Sequence, residues 1–261
     1  MTETFAALLL AHAAADFLLQ SAGMARGKQA RGPGAFAAHL AIVAACAALA
    51  LGAVTGPAWA AVAALTAAHG ATDLAKTFAP AGRLWPFLAD QAAHLAALVL
   101  TAALAPGLWD SGAWAAGLPG RAGGGAGLWS AGPGTDWMPP AMALAAGLIL
   151  AVRAGGFAVG LMMQRWEGRG PQGLPDGGRM IGLLERGLIF VLVLAGQPAG
   201  VGFLIAAKSV LRYEATREDQ AAAEYVIIGT LASFGWALAV AYATVLLLAG
   251  LHPLGIPPAN P

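Results

Sequence analysis

Charge is scarce in this chain: Lys, Arg, Asp and Glu together make up 10% of 261 residues, against about 25% in an average soluble domain. With 59% hydrophobic residues and a mean hydropathy of +0.69, that shortage excludes an ordinary water-soluble globule. It predicts an all-α, polytopic transmembrane helix bundle. A formal net charge of +1 leaves no electrostatic basis for binding nucleic acid. Cys46 is the only cysteine, so an intrachain disulfide is excluded. There is no HExxH stretch, which disfavours a zincin-type protease. The N-terminus lacks a basic n-region and carries Glu3, and its first apolar stretch is broken by His12 and Asp16. These features predict a retained membrane helix rather than a cleaved signal.

What is present is a series of apolar stretches near the length that spans a bilayer, about 20 residues. They run over 3–20, 35–55, 57–76, 86–106, 140–163, 179–196, 199–213 and 223–250. Eight spans are expected, or seven if 179–196 and 199–213, divided by Gly196-Gln197-Pro198, form one span and a re-entrant piece. Basic residues fall in alternate loops: Arg26, Lys28 and Arg31; Lys76 and Arg83; Arg165, Arg169 and Arg179; Lys208, Arg212 and Arg217. Positive loops face the cytoplasm, so both termini are expected on the periplasmic side. Three regions are expected: a four-helix unit over 1–106, a Gly/Trp-rich outer loop over 107–139, and C-terminal helices over 140–261. The tryptophans of that loop, Trp109, Trp114, Trp129 and Trp137, read as residues resting at the membrane interface.

Seven ionisable residues interrupt the first four stretches: His12, Asp16, His39, His69, Asp73, Asp90 and His94. A charged Asp at a helix centre costs about 2.5–3.5 kcal/mol on insertion scales, so such groups are expected to face one another, a cavity or an ion. The topology places all seven in the cytoplasmic half of four consecutive helices. His12/Asp16, His69/Asp73 and Asp90/His94 are i,i+4 pairs, each on one helix face, and Gln20 extends the first stripe. HxxxD occurs in the first and third stretches, each followed by a helix with another histidine. This pattern predicts a duplicated two-helix unit.

Imidazole and carboxylate together suit zinc, manganese or iron, and facing helices of a bundle can supply such ligands. His12, Asp16, His39, His69, Asp73 and His94 are therefore the candidate metal ligands, with Asp90 as ligand or general base. Two other readings of the layer stand beside this one: a self-satisfied His–Asp hydrogen-bond network, and a proton or ion pathway.

The C-terminal half carries a sparser polar set: Glu185 and Arg186, Lys208 and Arg212, and Glu224. Lys208, Arg212 and Lys76 are candidate contacts to an anionic substrate group or lipid headgroup. Gln20, Glu185, Arg186 and Glu224 are expected to be structural polar residues. His252, beside Pro253, reads as an outer surface histidine.

His12-Ala-Ala-Ala-Asp16-Phe17-Leu-Leu-Gln20, then Lys28, His39, His69-(three)-Asp73-(two)-Lys76 and Asp90-Gln91-(two)-His94 resemble an uncharacterised family of bacterial multipass membrane proteins. That family is a domain of unknown function with an HxxxDFxLQ opening. The stretch Gly182-Leu-Leu-Glu185-Arg186, with Lys208, Arg212 and Glu224-Tyr225, is similar to its longer members. The resemblance implies an integral inner-membrane protein and no particular activity. Three functions are open: a metal-dependent hydrolase or transferase on a lipid-linked or phosphorylated substrate, a metal-ion or proton transporter, and a structural subunit of a membrane complex. The outer halves of the first four stretches are nearly bare of polar groups, which weighs against a transport path.

Overall fold

A computed structural model describes residues 1–116, 135–168, 174–216 and 219–253, with the side chains of 211–216 left aside. Among the described residues there is helix and no strand. All eight apolar stretches are helical: α1 (Thr2–Ala14) with a π-turn over Ala15–Leu19; α3 (Pro33–Leu51); α4 (Gly56–Lys76); α5 (Leu84–Leu104); α7 (Met138–Ile149) continuing through a second π-turn (Leu150–Ala154) into α8 (Gly155–Met163); α9 (Gly177–Leu194); α10 (Gly200–Thr216); and α11 (Gln220–Ala249). Two short helices complete the set, α2 (Ala22–Gln29) and α6 (Ala113–Ala116). Five segments are long and apolar enough to cross a membrane: Thr2–Leu19, Pro33–Leu51, Leu84–Leu104, Met138–Trp166 and Gln220–Ala249. Outside that group, α4 carries His69, Asp73 and Lys76, α9 carries Arg179, Glu185 and Arg186, and α10 has 17 residues.

Local sequence accounts for the helix ends. Ser21 caps α2 by accepting from the Met24 N–H at 3.1 Å, and Thr55 caps α4 by accepting from the Ala58 N–H at 3.3 Å. Pro33 and Pro57 occupy first turns, where a missing N–H costs nothing. Gly52, with φ of 60°, closes α3, and the Ala53 N–H donates to the Ala48 carbonyl at 2.9 Å. That is a Schellman stop, and it needs a residue tolerant of the left-handed region.

The chain divides into two compact units. The first comprises Met1–Ala81, Trp85–Ala146 and Leu247–Ile256. Here the start of α1 is tied to the end of α5: Thr4 Oγ1 donates to the Pro106 carbonyl at 2.8 Å and accepts from the Trp109 N–H at 3.2 Å. Trp109 is buried, and Trp114 Nε1 donates to the Leu49 carbonyl at 2.7 Å. These two tryptophans are therefore packing residues of the helix ends. Trp137 is exposed, and Trp129 lies outside the described residues.

Among the described residues, the second unit comprises Gly82–Leu84 and Gly147–Leu246. Its core is built from Ala151, Ile189, Phe190, Val193, Val201, Phe234, Ala237 and Ala241. Carbonyls of the π-turn at 150–154 accept from backbone N–H groups at its end and, with their second lone pairs, from side chains. Trp236 Nε1 donates to the Leu150 carbonyl at 2.9 Å, and Arg186 donates to the Val152 carbonyl from Nη2 at 3.0 Å and Nε at 3.2 Å. A Cβ on Gly155 would stand 2.5 Å from Trp236 Cδ1 and 3.0 Å from Arg186 Cδ, so this approach requires glycine.

Candidate metal centre

α1, α3, α4 and α5 bring the seven ionisable groups to one level of the first unit. His39 comes from α3, His69 and Asp73 from α4, and Asp90 and His94 from α5. All five are buried, and His39 is wholly so. His12 lies in α1, and Asp16 lies on the π-turn that follows it. Single π-turns inside helices recur at functional positions; this one also ends the helix at Leu19. Gln20 then continues in extended backbone, so it leaves the stripe on which uninterrupted 3.6-residue periodicity would place it. Its Oε1 is buried without a hydrogen-bond partner.

The shortest approach between ring nitrogens is 3.0 Å, from His39 Nε2 to His69 Nε2. Asp16 Oδ1 stands 3.3 Å from each of them. Two imidazole nitrogens facing at that distance share one proton or one cation. On the other side, His94 Nε2 lies 3.4 Å from Asp90 Oδ1 and 3.7 Å from Asp73 Oδ1. The His69 and His94 rings stack with centroids 3.9 Å apart, and the His12 ring is 5.0 Å from that of His94. Three overlapping groups each offer ligand atoms within 4.8 Å of one another: Asp16/His39/His69, Asp73/Asp90/His94 and His12/His69/His94.

Proximity here does not mean mutual satisfaction. Asp16 Oδ1, Asp90 Oδ1, His94 Nε2, His12 Nδ1 and His39 Nδ1 are buried and make no hydrogen bond among the described residues. Buried polar atoms are nearly always paired, and a half-satisfied polar network is costly in a low-dielectric interior. Ligand atoms this near one another can be shared by one ion. Donors bonded to one ion at about 2.0–2.2 Å stand about 3.3–3.6 Å apart in tetrahedral geometry and about 2.8–3.1 Å apart in octahedral geometry. The Asp16/His39/His69 edges of 3.0, 3.3 and 3.3 Å fall within those ranges. The donor set could therefore hold a metal ion.

Two lysines and a glutamine hold the outer sides of the carboxylates. Lys28 Nζ, reaching in from α2, is 2.5 Å from Asp73 Oδ2, and Lys76 Nζ is 2.7 Å from Asp90 Oδ2. Gln91 Nε2 is 3.1 Å from Asp90 Oδ2 and 3.5 Å from Asp16 Oδ2, while its Oε1 faces His12 Nε2 at 3.2 Å. Lys28 reads in sequence as one more positive loop residue, and Gln91 as a neighbour of Asp90. The signal the sequence offers for both is their place in the motif that carries the family resemblance.

The polar residues of the second unit are arranged otherwise. Glu185 pairs with Lys208 at 2.7 Å. Buried Arg186 bonds to the Val152 carbonyl and, through Nη1, to Ser233 Oγ at 3.1 Å. Glu224 is exposed and accepts from Gln220 one turn earlier on its own helix at 2.9 Å. The Arg212 side chain lies outside the described residues. Lys76 and Lys208 thus each already hold a carboxylate. His252 is exposed.

Residues 4–114 match the family described as "Protein of unknown function (DUF3307)", and the matched stretch contains all seven groups together with Lys28 and Gln91. No curated protein and no solved structure matches the chain.

Proposed function

We propose that this is a bacterial inner-membrane protein that binds a divalent transition metal, zinc, manganese or iron, at Asp16, His39 and His69, and acts as a metal-dependent hydrolase or transferase on a lipid-linked or phosphorylated substrate. One observation carries the reading: Asp16 Oδ1, buried and without a hydrogen bond, lies 3.3 Å from two imidazole nitrogens that are themselves 3.0 Å apart. Asp16 is also the carboxylate of the layer with no lysine against it, so a bound cation offsets the cost of burying its charge.

An ion there supplies a polarised water or a polarised phosphoryl oxygen. His12, Asp73 and His94 complete the surrounding ligand set, and Asp90 Oδ1 serves as acceptor for the proton of an attacking water. Lys76, whose side chain keeps 35% of its surface exposed while it pairs with Asp90, contacts the anionic part of the substrate. All eight long helices span the membrane, with both termini outside and the polar layer at cytoplasmic headgroup depth. The region 1–106 forms the site-bearing unit, a duplicated pair of helices in contact with membrane lipid.

Transport is the weaker reading. A small cavity touches His12, His69 and His94, but its other walls are Ala11, Val43, Ala47, Leu65, Ala97 and Leu98. A hydrated ion moving across the bundle would meet apolar surface there.

The test is elemental analysis of detergent-purified protein reconstituted with Zn, Mn or Fe, alongside a chelator-sensitive assay on phosphorylated lipids. Stoichiometric metal in the wild type, lost in Asp16→Asn and in His39→Gln, is expected. Wild-type protein that retains no transition metal overturns the reading.

A further inference from the structure

The three carboxylates each turn one oxygen toward imidazole nitrogen and have the other held by a donor. Asp16 turns Oδ1 toward His39 and His69, and Gln91 approaches its Oδ2. Asp90 turns Oδ1 toward His94, while Lys76 and Gln91 hold its Oδ2. Asp73 does both: Oδ1 faces His94 Nε2 at 3.7 Å, and Oδ2, bonded to Lys28, also lies 3.4 Å from His39 Nε2 and 3.6 Å from His69 Nε2. Its carboxylate therefore belongs to the Asp73/Asp90/His94 group and also faces the two histidines of the Asp16/His39/His69 group.

We propose that the layer is a two-ion centre, with a second divalent ion held by Asp73 Oδ1, Asp90 Oδ1 and His94 Nε2 and with the Asp73 carboxylate bridging it to the ion at Asp16, His39 and His69. This rests on the single-ion reading above and changes one role in it: Asp90 becomes a ligand instead of a proton acceptor. The 3.4 and 3.7 Å distances from His94 Nε2 are close to those of donors around one tetrahedral ion, about 3.3–3.6 Å. Asp90 and His94 are each at least nine-tenths buried, and Asp90 Oδ1 and His94 Nε2 both lack a hydrogen bond. A self-contained His–Asp network leaves these two buried atoms unpaired, whereas an ion between them satisfies both.

The lysines fit as outer-sphere groups. Ligating carboxylates are usually held on the far side by a hydrogen-bond donor, which sets their orientation. Lys76 takes the Asp90 oxygen that is turned away from His94. Lys28 takes Asp73 Oδ2, and a carboxylate oxygen has two lone-pair sites, one for the ammonium and one for the first ion.

The test uses full-length protein in detergent, stripped with chelator and loaded with Mn²⁺, read by elemental analysis and electron paramagnetic resonance. Two bridged ions lie about 3.5–4 Å apart, so the wild type is expected to hold two Mn²⁺ per chain with an exchange-coupled spectrum. Asp90→Asn is expected to retain one Mn²⁺ with an uncoupled hyperfine sextet. One uncoupled Mn²⁺ in the wild type overturns the second ion and leaves the single-ion reading standing. No bound Mn²⁺ overturns both. Two coupled ions retained in Asp90→Asn overturn the ligand assignment. Should Asp90→Asn fail to fold, the wild-type count and spectrum still decide.

Discussion

Asp73 and Asp90 are both buried and both paired with a lysine, yet the two lysines are not equivalent. Lys28 is itself buried, with a side chain 11% exposed, and is the lysine on Asp73. Lys76 is 35% exposed, and its partner Asp90 also receives Gln91. Removing one member of a buried ion pair costs about 3–5 kcal/mol because the other is left uncompensated, whereas exposed pairs contribute about 1 kcal/mol or less. Lys28→Met is thus expected to lower the thermal midpoint of the detergent-solubilised protein clearly more than Lys76→Met. Equal shifts would show that Lys28 is not the main partner of Asp73. The i,i+4 spacing of the histidines and aspartates made their shared helix faces legible in the sequence. The inward turn of Lys28 was not, because a lysine on a short helix between two apolar stretches has the same local signature whether it is solvated or buried.

Single positions within helices and connections show the same division. Hydropathy alone located all eight long helices, since each must bury or shield its apolar surface whatever its neighbours are. It did not reveal the π-turns at 15–19 and 150–154. Arg186 and Trp236 donate to carbonyls of the second. A side chain at Gly155 would collide with both; Gly155→Val is expected to destabilise the protein by about 1–3 kcal/mol, the usual range for overpacking. Since residue 155 lies outside the unit that holds the metal centre, the metal content of folded Gly155→Val protein is expected to match wild type. In the first unit, a Cβ at Gly112 would lie only 2.0 Å from the Leu51 carbonyl oxygen. Gly112→Ala is expected to undock the 105–116 connection from the end of α3, read as faster limited proteolysis near residue 112 with the metal retained.

At the scale of the whole molecule, the proposed ion and the fold are linked. A ligand bound only by the folded state adds about 2.7 kcal/mol of stability at a hundredfold excess over its Kd. Chelation is therefore expected to lower the thermal midpoint of the wild type and to leave that of Asp16→Asn unchanged; equal shifts in the two would place the chelator's effect elsewhere. Imidazole and carboxylate bind metals in their deprotonated forms, so acidification is expected to release the ion and alkalinisation to restore it. Equilibrium dialysis across a pH series gives the sign directly.

Composition settled that this chain is a helical membrane protein, and helical periodicity together with loop charge collected seven costly side chains at one level. Both are properties of single segments, and the hydrophobic effect behind them is non-directional. Which carboxylate oxygen faces which nitrogen is a different kind of fact. His39 meets His69 across 30 residues and Lys28 meets Asp73 across 45. Ligand bonds and hydrogen bonds are directional to within tenths of an ångström, so their pattern exists only once the helices have packed. The sequence thus specifies a buried His–Asp layer, and the packing of α1 through α5 turns it into two triads joined at Asp73.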